Sequence, residues 1–473
     1  MKFAFALSVA ILLLCNSYAQ KTDAIPLPTK QQLAWHDMEF YLFTHFGPNT
    51  FTDKEWGLGN EPEDVFNPTN LDCDQWCRVA KAAGAKGIII TAKHHDGFCL
   101  WPSKYSTHTV RESKWKNGKG DVLKELSTAC KRYGLKFGVY ISPWDRNHPK
   151  YGTPEYNDVF VNMMKEIFQN YGPIWELWWD GANGEGPNGK KQVYDWHRFE
   201  QTVRKLSPTT IIFSDIGPDI RWVGNERGIA GETNWNYLDT SGFKRGAGGP
   251  PTDTLNQGNV HGKNWIPSEC DVSIRPGWFY HPEEDDKVKT PEQLFDLYLK
   301  SVGRGANLLL NVPPDRTGRI NEHDSSALIG FKNLRKENFR TNLVLLSTAR
   351  MSSTGNVPMP QAKIADGKNA TLEYFSAKQL LFATINFNKE TPINCIVLYE
   401  AIQKGQKISK YNIQLFDQNG KVMREIKGTT IGRKRIVTLT TTNTTALTVV
   451  ADNGYLSEIE AYHIDENLIE KKQ

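Results

Sequence analysis

The sequence has no strong excess of either charge and, beyond its first residues, no long apolar run. Its 57 Lys and Arg nearly balance 53 Asp and Glu, which leaves a net charge of +4 over 473 residues. Mixed signs at this balance lack the basic surface that nucleic acids and anionic membranes attract, so we predict neither as a partner. No later stretch reaches the roughly 20 apolar residues that a membrane-spanning helix needs. Internal repeats and low-complexity tracts are also missing.

The cysteines are too few and too scattered for a disulfide framework or a zinc site. Beyond residue 19 they are Cys73, Cys77, Cys99, Cys130, Cys270 and Cys395. The first two are four residues apart at the start of a predicted helix and therefore share one face. We interpret them as small buried residues rather than as a bridge.

Residues 1–19 are typical of a signal peptide. The apolar run from Phe3 to Leu14 is too short to cross a bilayer, and Ser17-Tyr18-Ala19 has the small-x-small pattern of a cleavage site. A lipoprotein signal at Cys15 is the alternative, although bulky leucines precede it where small residues are usual. We therefore expect an exported protein, periplasmic or extracellular, that loses residues 1–19.

Short apolar patterns alternate with helical patterns between residues 36 and 330. The predicted strands are 40–44, 87–91, 137–142, 175–180, 210–214 and 307–311. Asp72 and Asp121 are predicted N-caps of two intervening helices. The alternation predicts βαβ units, a parallel sheet and a (β/α)8 TIM barrel. Residues 217–276 have weak periodicity, so we expect an irregular barrel there.

Helical patterns stop near residue 345. Regularly spaced strands are predicted at 380–387, 394–399, 411–416, 435–439 and 446–450. Asp417-Gln418-Asn419-Gly420 is typical of a hairpin turn. We therefore predict a catalytic barrel over residues 20–342 and a C-terminal β-sandwich over residues 343–473.

Histidines, aromatic residues and carboxylates follow the predicted strands, where the catalytic side chains of a parallel barrel gather. The strand ends are Thr44-His45-Phe46-Gly47, Lys93-His94-His95-Asp96, Tyr140-Ile141-Ser142 and Trp178-Trp179-Asp180-Gly181. Most of the 14 tryptophans precede residue 280. Together they predict a polar pocket with aromatic walls, which suits a sugar. Asp180 is the strongest single candidate, and a turn-forming aspartate is its alternative interpretation.

Two kinds of chemistry fit these residues. His45, His94 and His95 can hydrogen-bond sugar hydroxyls, or they can bind a metal with Asp180, although no ligand set with metal spacing stands out. Glycoside hydrolysis needs a second carboxyl group that holds a proton. Its candidates lie on different predicted elements, so spacing leaves the choice open: Glu55, Asp215, Glu226 and Glu232.

Taken together, the residues resemble glycoside hydrolase family 29, the retaining α-L-fucosidases, from about Trp35 into the C-terminal domain. The motifs that carry the resemblance are Phe43-Thr44-His45-Phe46-Gly47, Glu55-Trp56-Gly57, Lys93-His94-His95-Asp96-Gly97-Phe98, Trp178-Trp179-Asp180-Gly181 and Gly277-Trp278-Phe279-Tyr280. The resemblance implies removal of terminal L-fucose without a metal or cofactor, with Asp180 as the nucleophile. It also implies that fucose is bound by His45, Trp56, His94, His95, Tyr140, Trp178 and Trp278.

The stretch Trp222-Val223-Gly224-Asn225-Glu226 resembles the branch of the family that prefers α-1,3- and α-1,4-linked fucosides. That resemblance implies Glu226 as the acid/base, with Glu232 in reserve, and Lewis-type glycans as substrates. The alternatives are a broad-specificity enzyme that also cleaves α-1,2 linkages and a non-catalytic glycan-binding protein. The expected partners are fucosylated oligosaccharides or glycoconjugates, and the sequence makes no prediction of oligomeric state.

Overall fold

The computed structural model describes residues 25–245, 249–353, 363–367 and 381–469. The predicted signal peptide, residues 1–19, lies outside this part of the chain. None of the helices formed by the described residues is long and apolar enough to cross a membrane.

A closed barrel of eight parallel strands forms the first unit. The strands of this unit are β1 (Phe40–Thr44), β2 (Gly87–Lys93), β3 (Lys136–Ile141), β4 (Glu176–Trp178), β5 (Ile211–Ser214), β6 (Ile220–Trp222), β7 (Tyr237–Leu238), β8 (Asn264–Trp265), β9 (Ser268–Ser273) and β10 (Asn307–Asn311). The barrel order is β1-β2-β3-β4-β5-β6-β9-β10, whereas β7 and β8 pair with each other. The barrel closes between β1 and β10, where Tyr41 is opposite Leu309. The predicted TIM barrel is confirmed.

Nine helices are described with this unit: α1 (Lys30–His36), α2 (Pro48–Thr52), α3 (Cys73–Ala83), α4 (Val122–Tyr133), α5 (Tyr156–Tyr171), α6 (Trp196–Leu206), α7 (Thr252–Gln257), α8 (Pro291–Lys300) and α9 (Glu322–Asn338). The carboxylates of Asp72 and Asp121 accept hydrogen bonds from backbone N–H groups in the first turns of α3 and α4. Both predicted N-caps are therefore confirmed.

The barrel is irregular in the region of weak periodicity. Residues 215–219 join β5 to β6 without a helix. The three-residue strand β6 is followed by the β7–β8 pair and the short α7, which take the place of one long helix. Loops therefore replace a regular helix at this part of the rim, and their polar side chains can reach the end of the barrel.

Side chains of β1 show how the core is divided. Phe40 and Leu42 point outward and pack with the surrounding helices, whereas Tyr41 and Phe43 point into the barrel. The alternation follows from the period of two in a strand. Burial of each large apolar side chain contributes about 1.5–3 kcal/mol, so both layers stabilise the barrel.

The C-terminal unit is an antiparallel sheet domain, as predicted. Its strands are β11 (Thr348–Ser353), β12 (Leu381–Glu400), β13 (Tyr411–Phe416), β14 (Val422–Gly428), β15 (Arg435–Ala451) and β16 (Leu456–Tyr462). The first half of β12 pairs with β11 and its second half with β16, and side chains from both halves share one core. The predicted turn at 417–420 joins β13 to β14, and its Asp417 N–H donates to the Lys421 carbonyl at 3.0 Å.

The sequence divides two long strands of this unit into shorter ones and misses β11, β14 and β16. The predictions at 380–387 and 394–399 both fall on β12, and those at 435–439 and 446–450 both fall on β15. Leu380 itself lies outside the described residues. The residues 440–445 contain no Gly or Pro and five threonines, whose branched side chains favour continued strand structure. The β12–β15 ladder is interrupted by register shifts, as between Asn386 and Thr391, and not by a turn.

The two units contact each other beside the N-terminal ends of the barrel strands. Lys434 Nζ lies 2.6 Å from Glu39 Oε1, just before β1. The Ile436 N–H donates to the Gly303 carbonyl at 2.8 Å, just before β10. The C-terminal unit therefore leaves the opposite rim of the barrel open. The six described cysteines are all free and buried, as interpreted from the sequence.

Candidate active site

The predicted pocket residues meet at the C-terminal rim of the barrel. His45 follows β1, His94 and His95 follow β2, and Tyr140 and Trp178 lie near the ends of β3 and β4. Since the strands are parallel, their carboxyl ends share one rim. Side chains from four strands that are far apart in the sequence therefore form one cluster.

Asp180 lies two residues after β4 with its carboxylate held on both oxygens. Tyr140 OH donates to Oδ2 at 2.9 Å, and the Ala182 N–H donates to Oδ1 at 2.7 Å. The side chain is 25% exposed, so the carboxylate is fixed but open to a ligand. An anchored and accessible carboxylate can attack a bound electrophilic carbon.

The glycine after Asp180 is required by packing. A Cβ at position 181 would lie 2.0 Å from Asp215 Oδ2, so any larger residue would displace one of the two chain segments. Burial, followed by the charge of Asp180, raises the pKa of Asp215 to about 6. Asp215 thus lies directly behind the Asp180 loop.

Two of the three histidines, His45 and His95, are oriented by polar neighbours. His45 Nδ1 lies 2.9 Å from Asn311 Oδ1, an acceptor, so Nδ1 carries the proton. His95 Nδ1 lies 2.8 Å from Ser142 Oγ, whose own hydroxyl donates to the Trp144 carbonyl. The Nδ1 of His95 is therefore the donor as well. In both rings Nε2 is left as an acceptor for a ligand hydroxyl.

Burial keeps these imidazoles uncharged. It lowers the pKa of His45 to about 3 and that of His95 to about 4, although the Asp180 charge raises the latter. The pKa of His94 lies well below its usual value for the same reason, with the neighbouring histidines contributing. His95 Nε2 lies 3.7 Å from Asp180 Oδ2, which is close enough for one ligand hydroxyl to contact both.

Aromatic rings line the other sides of the pocket. The Tyr140 and Trp178 rings stack with centroids 5.4 Å apart, and the Trp278 ring lies 5.1 Å from His45. Trp56 is 53% exposed and packs edge-on against His95 and Trp144. An exposed indole beside polar groups offers an apolar surface to the C–H face of a sugar.

Glu226 and Glu232 lie in very different surroundings. Glu226 follows the short strand β6 and accepts a hydrogen bond from Trp278 Nε1 at 3.3 Å. Glu232 is 75% exposed and pairs with Arg304, which precedes β10 at the far end of the barrel. In these interactions Glu226 contacts a residue of the predicted pocket, whereas Glu232 does not.

Glu55 is held by the loop that carries Trp278. Its carboxylate accepts the N–H groups of Trp278 at 2.8 Å and Phe279 at 3.1 Å. Glu55 Oε1 also lies 2.7 Å from His281 Nε2. These contacts position the Trp278 loop against the first strand end.

The sequence did not single out several polar residues that complete the site. They are Glu269, Asp271 and Asn311. Asp271 is buried near the end of β9, accepts from Trp222 Nε1 at 2.8 Å, and has a pKa raised by burial and by the charge of Glu226. The weak periodicity around β9 concealed it, whereas Asn311 ends a clear strand and its position was a usable signal.

The alternative metal site receives no geometric support. Within residues 25–245, 249–353, 363–367 and 381–469, the cluster with ligand atoms close enough for one ion is Asp53, His281 and Glu283. It includes none of the histidines that follow β1 and β2. Of those histidines, His45 contacts Asn311 and His95 contacts Ser142 instead.

Comparisons with known proteins agree along most of the chain. The profile of the alpha-L-fucosidase family matches residues 27–334. Alpha-L-fucosidase 1 of Arabidopsis thaliana is 39% identical over 451 residues, which cover 93% of this chain and 87% of that protein. A glycoside hydrolase 29 family member from an unknown rumen bacterium shares 40% identity with a TM-score of 0.83, over 95% of this chain and 79% of the other.

A third relative carries a ligand. A glycoside hydrolase 29 fucosidase of Ruminococcus gnavus, solved in complex with fucose, has a TM-score of 0.83 at 30% identity, covering 94% of this chain and 96% of that one.

A parallel barrel with a fixed carboxylate, neutral histidines and an aromatic wall at its rim defines a glycoside hydrolase. The family match and the relatives identify which family of glycoside hydrolases this is. The chain belongs to the α-L-fucosidases of glycoside hydrolase family 29, a retaining family. It is an α-L-fucosidase and acts on fucosylated substrates.

Proposed function

We propose that the enzyme removes terminal α-1,3- and α-1,4-linked L-fucose from Lewis-type branched glycans, with Asp180 as nucleophile and Glu226 as acid/base. One observation carries the catalytic assignment. Asp180 is a carboxylate that accepts a hydrogen bond from Tyr140 at the rim, and Glu226 is a second carboxylate that accepts one from Trp278. The linkage preference is supported by the Trp222–Glu226 motif.

The reaction has two steps. Asp180 attacks the anomeric carbon while Glu226 gives its proton to the departing glycosidic oxygen, which forms a fucosyl-enzyme ester. Glu226 then takes a proton from water, the water oxygen bonds to the anomeric carbon, and the bond to Asp180 breaks. Two inversions leave the configuration of fucose unchanged. The hydrogen bond from Tyr140 keeps the attacking oxygen in place throughout.

The neutral histidines and aromatic rings serve binding in this proposal. The free Nε2 atoms of His45 and His95 accept hydrogen bonds from fucose hydroxyls, because their Nδ1 protons are engaged by Asn311 and Ser142. Trp56 and the remaining ring surfaces contact the apolar side of the sugar. His94, with a buried Nδ1 and no partner among the described residues, completes the polar side.

The nucleophile is tested by Asp180→Asn, which keeps the shape of the side chain but removes its charge. We expect kcat to fall by about 10³-fold or more, while fucose binding followed by tryptophan fluorescence is retained. Asp195→Asn, which changes the N-cap of α6, is the matched control and should keep full turnover. Turnover near that of the wild type in Asp180→Asn would contradict the assignment.

The acid/base is tested by azide rescue of Glu226→Ala and Glu232→Ala on an aryl α-L-fucoside. An activated leaving group needs no proton, so azide can replace water at the second step. We expect rescue, with fucosyl azide as product, in Glu226→Ala and near wild-type rates without azide in Glu232→Ala. The opposite pattern would assign the role to Glu232.

Linkage preference is tested by free L-fucose released from a Lewis trisaccharide and from an α-1,2-fucosylated trisaccharide, both with EDTA. Release from the first alone is the expected result. Release from both would leave a broad-specificity enzyme. If neither releases fucose until metal is restored, the metal-dependent alternative replaces the double displacement, and permanent inactivity with retained binding would indicate a glycan-binding protein.

We also propose that the enzyme is exported, on the support of the signal-peptide pattern in residues 1–19. The expected mature chain begins at Gln20. N-terminal sequencing of protein from fractionated cells tests this, and an intact Met1 on cytoplasmic enzyme would refute it. We propose a catalytic unit over residues 20–342 and a β-sandwich over residues 343–473. Limited proteolysis followed by N-terminal sequencing of the fragments tests this boundary.

A further inference from the structure

Below the pocket, the barrel contains a buried carboxylate that receives two hydrogen bonds. Trp178 Nε1 donates to Glu269 Oε1 at 2.8 Å, and Tyr41 OH donates to Glu269 Oε2. Trp35 Nε1 in turn donates to Tyr41 OH at 2.9 Å. Barrel interiors are usually filled by branched apolar side chains, and a buried charge is costly unless it is compensated. A polar group at this depth therefore needs a physical reason.

The second buried carboxyl group is Glu176, the first residue of β4. It is fully buried, and its carboxyl group and that of Glu269 are close enough to shift each other's pKa. Neither oxygen of Glu176 has a hydrogen-bond partner among the described residues. An ionised carboxylate buried without a donor is costly, and two ionised carboxylates are both acceptors only, so the contact between the two groups requires a proton. With both Glu269 oxygens already accepting from Tyr41 and Trp178, Glu176 is the group that donates.

We propose that Glu176 and Glu269 share one proton inside the barrel, and that this pair is the positioning element for the Trp178 indole in the fucose pocket. Glu176 neutralises half of the pair, and Glu269 keeps the acceptor oxygen that fixes Trp178. Neither residue touches the substrate. Both act through the aromatic wall.

The connection from this pair to the reacting carboxylate is short. Trp178 lies flat between Phe213, at 3.8 Å and 9°, and Tyr140, at 5.4 Å and 29°. Tyr140 OH donates to Asp180 Oδ2. A shift of the indole would therefore move Tyr140 and the nucleophile with it. This part of the inference rests on the proposed role of Asp180.

The protonation state follows from the surroundings. Burial raises the pKa of Glu269 to about 7, and burial together with the Glu269 charge raises the pKa of Glu176 well above its usual value. The other titratable groups that face the pair are Tyr41 from β1, Asp219 before β6, and Cys270 and Asp271 from β9. The Asp219 charge favours the proton on Glu176 further. The folded state thus binds more protons than the unfolded state, so stability falls as pH rises from about 4.5 through the raised pKa values.

Two amide substitutions separate the partners. In Glu176→Gln the amide N–H donates to Glu269 as the carboxylic acid does, so Trp178 keeps its acceptor. In Glu269→Gln a single carbonyl oxygen must serve both Trp178 and Tyr41, while the new N–H₂ group has no place beside two donors. The two substitutions are equally small, but we expect Glu176→Gln to preserve the position of Trp178 and Glu269→Gln to disturb it.

The matched control is Glu166→Gln. Glu166 on α5 also accepts from an indole, Trp101 Nε1 at 3.1 Å, and from Ser103 Oγ at 2.7 Å, but it lies outside the barrel. A loss of activity caused only by a weakened buried carboxylate would occur in this variant as well.

The experiment measures kcat and KM on an aryl α-L-fucoside from pH 5 to 9, fucose affinity by tryptophan fluorescence, and thermal unfolding over the same range. We expect Glu176→Gln to keep kcat/KM within about threefold and to lose most of the fall in Tm between pH 6 and 9. We expect Glu269→Gln to lower kcat/KM by about 10-fold or more and to weaken fucose binding, with Glu166→Gln near wild type in both.

A loss in Glu176→Gln as large as that in Glu269→Gln, or a wild-type pH dependence of Tm in Glu176→Gln, would overturn the shared proton. Should Glu269→Gln fail to fold, the Tm profile of Glu176→Gln decides alone. Fucose affinity does not depend on the nucleophile, so it tests the positioning of Trp178 even if Asp180→Asn stays active and the proposed mechanism fails.

Discussion

The substitution Glu55→Gln should loosen the loop that brings Trp278 to Glu226, although it replaces neither of those two residues. The Glu55 carboxylate accepts from two backbone N–H groups of the loop and from His281 Nε2, at 2.8, 3.1 and 2.7 Å. Glutamine offers one acceptor oxygen in place of two, so at least one donor loses its partner. The loop should then sample positions in which the indole no longer meets Glu226.

The magnitude follows from the contacts. A hydrogen bond to a charged group contributes about 1.5–3 kcal/mol, which corresponds to about 10- to 150-fold in kcat/KM. The Glu55 side chain is 39% exposed, so water replaces part of the loss and we expect the lower end, about 10- to 30-fold. The global Tm should change little, because the loop is at the surface.

The loop should also respond to pH through His281. Burial lowers the pKa of His281, but hydrogen bonds to Asp53 and Glu55 outweigh burial and raise it above 6.5. A raised histidine pKa gives stability that is present at low pH and is lost as pH rises through the folded-state value. Wild-type kcat/KM should therefore fall on the alkaline side more steeply than that of Glu55→Gln.

The assay is initial rates on an aryl α-L-fucoside and on a Lewis trisaccharide, with thermal unfolding beside it. Glu63→Gln is the matched control, because Glu63 forms a similar 2.8 Å contact with His108 outside the 277–279 loop. Unchanged rates in Glu55→Gln, or an equal loss in Glu63→Gln, would refute the reasoning.

Two further changes test packing. Gly181→Ala would place a Cβ 2.0 Å from Asp215 Oδ2, so we expect the Asp180 loop to shift and kcat to fall by about 10²-fold. The control is Gly249→Ala, where the added Cβ comes no closer than 3.8 Å to any neighbouring atom. Lys434→Met would leave the partly buried Glu39 unpaired and should lower the free energy of unfolding in urea by up to about 3 kcal/mol. The double change with Glu39→Leu should recover most of that loss, and no recovery would argue against the ion pair.

Much of the barrel could be predicted from sequence because its signals are local. Asp72 and Asp121 cap helices through their own first turns, and the strand before Asp180 is rich in aromatic residues, with a glycine directly after that aspartate. Patterns of this kind depend on residues close in the chain. The same holds for the strand-end histidines, whose clustering follows from parallel strands alone.

Other features depend on contacts that no local pattern records. Glu176 opens a strand whose other residues are aromatic or apolar, and it comes close to Glu269 only because β4 and β9 enclose one barrel interior. The continuity of β12 likewise depends on its pairing with β15, since Asn388 and Pro392 in its middle are also suited to a turn. Asn311 could be assigned to a strand, whereas its contact with His45 requires the closure between β1 and β10.

The irregular stretch after β6 has a consequence for redesign. Asp180 is attached to a barrel strand, but Glu226 lies on a connection that replaces a regular helix and meets the rest of the rim through Trp278. In the proposed mechanism, the nucleophile therefore follows a barrel strand, whereas the acid/base that meets the leaving group lies on a separate connection. Exchanging residues 223–234 between relatives should change the accepted aglycone while the released sugar stays the same, so new specificities can arise from this one insert on an unchanged barrel.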